Sequence, residues 1–153
     1  MVLCLQGKSK VAMPELARLK NVKQSEKVFL GGTCNNSTWR DELIPLLNIE
    51  YFNPVVENWT PECQAEEIQQ RRECDYCLYV ITPEMTGFYS IAEAVDDSNK
   101  RPNKTLFCVL QSAGDKVFDK HQLKSLLATS TMIQENGGQV FMRLDTLAAW
   151  LNS

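Results

Sequence analysis

From Lys27 onward, short apolar runs alternate with segments of helical spacing, and this alternation is the feature that most narrows the fold. "KVFLGGT" reads as a buried strand with a sharp exit at Gly31 and Gly32. "STWRDELIPLL" follows as a helix that Ser37 or Thr38 can cap, with Leu43, Leu46 and Leu47 on one face and Pro45 restricting its length. "IEYFNPVV" is a second strand closed by Asn53 and Pro54. "TPECQAEEIQQRREC" carries Thr60 as a cap and Pro61 at the first helical position. "DYCLYVIT", "TLFCVL" and "GGQVFMRL" give three more strands, interleaved with the helices "YSIAEAVDDSNK", "DKHQLKSLLAT" and "DTLAAWLNS".

Five strands recur roughly every 25 to 30 residues, enough for right-handed crossovers between parallel neighbours. The pattern predicts an α/β domain with a doubly wound, five-stranded parallel sheet in flavodoxin-like order 2-1-3-4-5 and helices on both faces. Residues 26–153 form this domain, and residues 1–25, which lack a clean period, are an arm or added element. In such sheets ligands bind where the strands end, beside strand one.

Composition excludes several classes of function. The chain has 153 residues and a formal net charge of −3, which argues against nucleic-acid binding through phosphate neutralisation. The basic group Lys100, Arg101 and Lys104 reads as a solvated loop. No apolar stretch approaches the roughly 20 residues of a membrane span, and the N-terminus shows no secretory h-region. Six cysteines include the pair Cys74 and Cys77, yet no second such pair lies at zinc-site spacing and the only histidine is His121. The pair opens the strand-like run "CDYCLYVIT", where positions three apart face opposite sides and do not converge on one metal. Reduced thiols fit a cytoplasmic protein, and no metal or cofactor is expected.

The loops that end the strands contain "GGTCNNSTWRDE", "NPVVENWTPE", "TPEMTGFYSIAE" and "QSAGD". The pair Gly31 and Gly32 is neither a dinucleotide fingerprint nor a P-loop. Trp39 and Trp59 serve equally for packing or for stacking on a ligand. Arg40 suits a 5′-phosphate or a surface ion pair, and Asp41 is a nearby acid of open direction.

Together "VFLGGTCNNSTWRDELIP", "YFNPVVENWTPEC", "CDYCLYVITPEMTGFYSIAEA" and "NKTLFCVL" resemble the nucleoside 2-deoxyribosyltransferase-like family, across about Val28 to Leu110. The resemblance implies cleavage or transfer at the N-glycosidic bond of a (deoxy)nucleoside or its monophosphate. It also implies a nucleophilic Glu after the third strand, the position of Glu93. The carboxylate would bond to C1′ as positive charge develops there, and the helix amino terminus would keep it ionised. Substrate contacts are expected from Gly31, Gly32, Thr33, Trp39, Arg40, Asp41, Asn53, Asn58, Trp59, Met85, Gly87, Tyr89 and Ser90. Two positions depart from the family's pattern, with Asn58 standing where an Asp assists the leaving base and Gly87 where an Asp helps hold the sugar. Asn58 cannot supply a proton at neutral pH. These departures keep open a non-catalytic nucleotide-binding module, and an NAD-cleaving relative is a third reading. The expected partners are a small nucleoside or nucleotide and a second copy of the chain, without nucleic acid or membrane.

Overall fold

The computed structural model describes residues 25–153. The expected arm at residues 1–25 lies outside this range apart from Ser25, as does Cys4. Five parallel strands form one sheet: β1 (Lys27–Gly32), β2 (Glu50–Phe52), β3 (Tyr76–Ile81), β4 (Thr105–Val109) and, after a small hairpin, β7 (Gln139–Phe141). Their spatial order is β2-β1-β3-β4-β7, the doubly wound order expected from the alternation. The hairpin β5 (Ser112–Ala113) and β6 (Lys116–Val117) has no strand-like run behind it in the sequence.

Among the described residues four helices connect these strands, α1 (Trp39–Leu43), α2 (Pro61–Glu73), α3 (Tyr89–Lys100) and α4 (Lys120–Glu135), and α5 (Leu144–Leu151) follows the last of them. α1 is short because Pro45 diverts the chain into a 3-10 turn at Ile44–Leu46, which leaves Leu46 exposed rather than beside buried Leu43. Thr60 caps α2 as expected, accepting from the Cys63 N–H at 3.2 Å. Asp119 and Gln122 close a reciprocal capping box on α4.

Successive strand residues enter two separate cores. Val28, Leu30, Leu78, Val80, Leu106 and Cys108 pack with Trp39, Leu43, Leu147 and Leu151. Phe29, Cys77, Tyr79, Ile81, Phe107 and Val109 pack with Ala94, Leu126 and Ile133. That division follows from the two-residue period of a strand. Cys74 caps the C-terminus of α2, outside the strand, so it shares the second core with Cys77 instead of facing away from it. Burial pushes the Cys77 thiol up to about 12, and among the described residues no His, Cys, Asp and Glu cluster suits a metal. No described helix is long and apolar enough to cross a membrane.

Gly32 ends β1 directly beside Val80 of β3. Its φ is +114°, and a Cβ there would lie 2.1 Å from the Val80 carbonyl oxygen. Both the backbone conformation and the strand contact therefore exclude a side chain. Gly32→Ala is expected to destabilise the protein by about 3 kcal/mol or more, measured by denaturant unfolding, because it combines backbone strain with overpacking.

Candidate functional site

The loops leaving β1 and β3 are joined residue by residue. The Thr33 N–H donates to the Val80 carbonyl at 2.8 Å, and the Thr33 hydroxyl accepts from the Thr82 N–H at 3.0 Å. The Thr33 carbonyl accepts from the Trp39 indole N–H and from Arg40 Nη1, both at 2.8 Å. Arg40 also donates from Nε and Nη2 to the Leu30 carbonyl, and its guanidinium lies 4.2 Å from the Trp39 ring centroid.

These contacts correct two expectations. Trp39 is 1% exposed and Arg40 is 5% exposed, so neither presents its side chain to a ligand. Arg40 forms no ion pair among the described residues; burial lowers its pKa, and carbonyl oxygens satisfy its N–H groups. The phosphate and surface-salt-bridge readings both give way to a structural role at the end of β1. Thr33 is buried in the same junction, and Gly31 is a packed β1 residue. Asp41 is exposed on α1 and belongs to neither cleft described below.

Two adjoining clefts open at this end of the sheet. The first, about 270 Å³, is lined by Gly32, Thr33, Cys34, Asn35, Met85, Thr86, Gly87 and Ser90, with Tyr89 at its edge. Asn35 fastens it by donating to the Glu84 carbonyl at 2.9 Å and the Thr86 hydroxyl at 3.0 Å. A Cβ at Gly87 would meet nothing within 4 Å, so this glycine is not required by packing. The second cleft, also about 270 Å³, is lined by Trp59, Gln64, Glu67, Ile68, Arg71, Tyr89 and Glu93. Tyr89 therefore borders both clefts. Asn53 accepts from the Val55 N–H in a local turn, and exposed Asn58 precedes Trp59 without lining either cleft.

Glu93 is the fifth residue of α3, past the first helical turn, and its side chain is 16% exposed. Burial raises its pKa, Arg71 opposes that rise, and Glu67 and Asp97 add to it; the result lies above the ordinary carboxylate range. The helix amino terminus contributes little at this position, because its field decays within the first turn, and burial is the larger influence on the carboxyl. The opposing cation is Arg71, whose Nη1 lies 3.1 Å from Glu93 Oε1.

Arg71 is itself held from behind. Its Nε and Nη2 reach both oxygens of Asp97, at 3.1 and 2.8 Å, and Nε also donates to the Tyr79 hydroxyl at 2.8 Å. Asp97 is 1% exposed and accepts further from the Tyr79 hydroxyl and from Arg101. Burial alone would raise the Asp97 pKa, but donors from Arg71, Arg101 and Tyr79 hold it below the ordinary range. Sequence reasoning missed Arg71, Tyr79 and Asp97. Their available signal was the spacing of Glu93, Asp97 and Arg101, four residues apart along one helix face.

The sheet order and the strand-end clefts agree with a comparison against family models, in which a model described as nucleoside 2-deoxyribosyltransferase like matches residues 25–113. No curated protein and no solved structure matches the chain. The match covers more than half of the sequence and includes β1 through β4, both clefts and Glu93, and on that basis the chain belongs to the nucleoside 2-deoxyribosyltransferase-like family.

Proposed function

We propose that this protein cleaves or transfers the N-glycosidic bond of a deoxynucleoside, with Glu93 as the nucleophile. The observation that carries this reading is the largely buried Glu93 carboxylate, which lines a cleft together with exposed Trp59 and Tyr89 in a chain of this family. A carboxylate oxygen attacks C1′ as the bond from C1′ to the base nitrogen breaks, and the base leaves with that electron pair. Water or a second base then attacks C1′, the bond from C1′ to the carboxylate oxygen breaks, and Glu93 is regenerated. Trp59 and Tyr89 supply aromatic faces for the departing base. Met85, Gly87 and Ser90 border the neighbouring cleft, where the sugar would extend.

Charge favours a nucleoside over its monophosphate. Arg40 is turned onto backbone carbonyls, and Arg71 is engaged by two carboxylates. A 5′-phosphate would rest on backbone amides and hydroxyls, with Glu67 and Glu93 nearby. The binding-module reading draws on Asn58, which lines neither cleft and leaves the base without an acid.

Incubation with a 2-fluoro-deoxynucleoside, followed by mass spectrometry, is expected to show a glycosyl adduct on Glu93. Glu93→Gln is expected to lose the adduct and to slow base release by at least about a thousandfold. Tight nucleoside binding with no base release by the wild type would select the binding module. Chromatography of matched reactions is expected to show faster base release from a deoxynucleoside than from its 5′-monophosphate. Gly87→Asp is expected to fold normally and to increase deoxynucleoside turnover by about tenfold, the equivalent of one charged hydrogen bond to the sugar.

A further inference from the structure

Helix α2 walls the Glu93 cleft yet contributes no buried residue to either core. Its inward attachment is polar: Lys27 donates to Gln70 at 2.8 Å, and Arg71 reaches β3 and α3. The division of donors on Arg71 is specific. Nε and Nη2 form a bidentate pair with Asp97, which leaves Nη1 directed at Glu93 Oε1. Asp97 cannot readily turn away, because Arg101 and Tyr79 hold it at the same time and Arg101 also donates to the Arg71 carbonyl at 3.1 Å.

We propose that Arg71 is a positioning residue for the reaction: clamped by Asp97 and Tyr79, it holds one oxygen of Glu93 and leaves the other to meet C1′. This rests on the reading of Glu93 as nucleophile. Two contributions are separable. The positive charge favours the ionised form of Glu93 against burial and against the neighbouring carboxylates. The fork fixes where the carboxylate points, and an ammonium cannot reproduce it because a single nitrogen does not span Asp97 and Glu93 in fixed directions.

The charged and titratable groups around Glu93 are Arg71 and Glu67 from α2, Tyr79 from β3, and Tyr89 and Asp97 from its own helix, with Arg101 beyond Asp97. The ionised carboxylate is the reactive form, so activity is present above the raised Glu93 pKa and lost as pH falls through it. Removing the Arg71 cation moves that acid limb to higher pH.

The test compares wild type, Arg71→Gln and Arg71→Lys by two readouts. One is the titration of the Glu93 carboxyl carbon by NMR in ¹³C-glutamate-labelled protein without substrate, assigned with Glu93→Gln. The other is the pH profile of base release from a deoxynucleoside. Arg71→Gln is expected to raise the Glu93 midpoint and the acid limb together by about one pH unit. Arg71→Lys is expected to keep both close to wild type while kcat falls about tenfold or more, because the charge remains and the fork is lost. An unmoved Glu93 midpoint in Arg71→Gln overturns the proposal. Should Arg71→Gln fail to fold, Arg71→Lys decides: an unchanged kcat overturns it, and a lowered kcat with an unshifted acid limb supports it. If the wild type releases no base from any nucleoside, the enzymatic reading falls and the NMR midpoint still judges the link between Arg71 and Glu93. If base is released and neither variant differs from wild type, the positioning role falls alone.

Discussion

Among the described residues one carboxylate is buried, Asp97, and it organises the side of the sheet that carries the Glu93 cleft. Nearly inaccessible to water, it would be costly if isolated, since an unpaired buried charge loses its hydration without compensation. Two guanidinium groups and a phenol surround it, so its burial requires Arg71, Arg101 and Tyr79 to stay in place. That requirement carries outward through Arg71, which is also the ion-pair partner of Glu93. The charged pairs give geometric definition more than net stability, because the desolvation they suffer offsets much of their attraction.

The other half of the site obeys the same economy with different chemistry. Arg40 is buried at the end of β1, where main-chain carbonyls of Leu30 and Thr33 receive its N–H groups. The Thr33 carbonyl lies just past the end of the strand and the Leu30 carbonyl within its last three residues, and buried carbonyls need donors. The guanidinium and the indole of Trp39 provide them, while Gly32 leaves room beside Val80 that a side chain would fill. Loop geometry at the first cleft thus follows from main-chain requirements, whereas the second cleft is shaped by side-chain ions.

Much of the architecture was legible in the sequence because it depends on periodicity. Apolar runs such as "VFL" and "CLYVI" marked central strands, and Thr60 with Pro61 marked a helix start. The β5–β6 hairpin escaped notice because two-residue strands carry no period, and the end of α1 was blurred by the 3-10 turn through Pro45. At the site, Glu93 and the clefts were reachable through strand-end logic and family resemblance. The fates of Trp39 and Arg40 were not, because both side chains can either face a ligand or fold back on the main chain. Which of these occurs is set by carbonyls whose positions exist only after the sheet has formed. Arg71 was hidden for a related reason: α2 and α3 are far apart in sequence, and only the crossover brings its guanidinium to Asp97 and Glu93.

The absence of buried residues from α2 also bears on how such a protein can diversify. Gln64, Glu67 and Ile68 line the second cleft from a helix that fills no part of either core. Replacing them changes what the cleft meets without opening a void in the packed interior, where size changes are felt most strongly. Arg71 then acts as a fixed pivot on an otherwise permissive surface, and ligand preference can drift over generations while the sheet beneath is left alone.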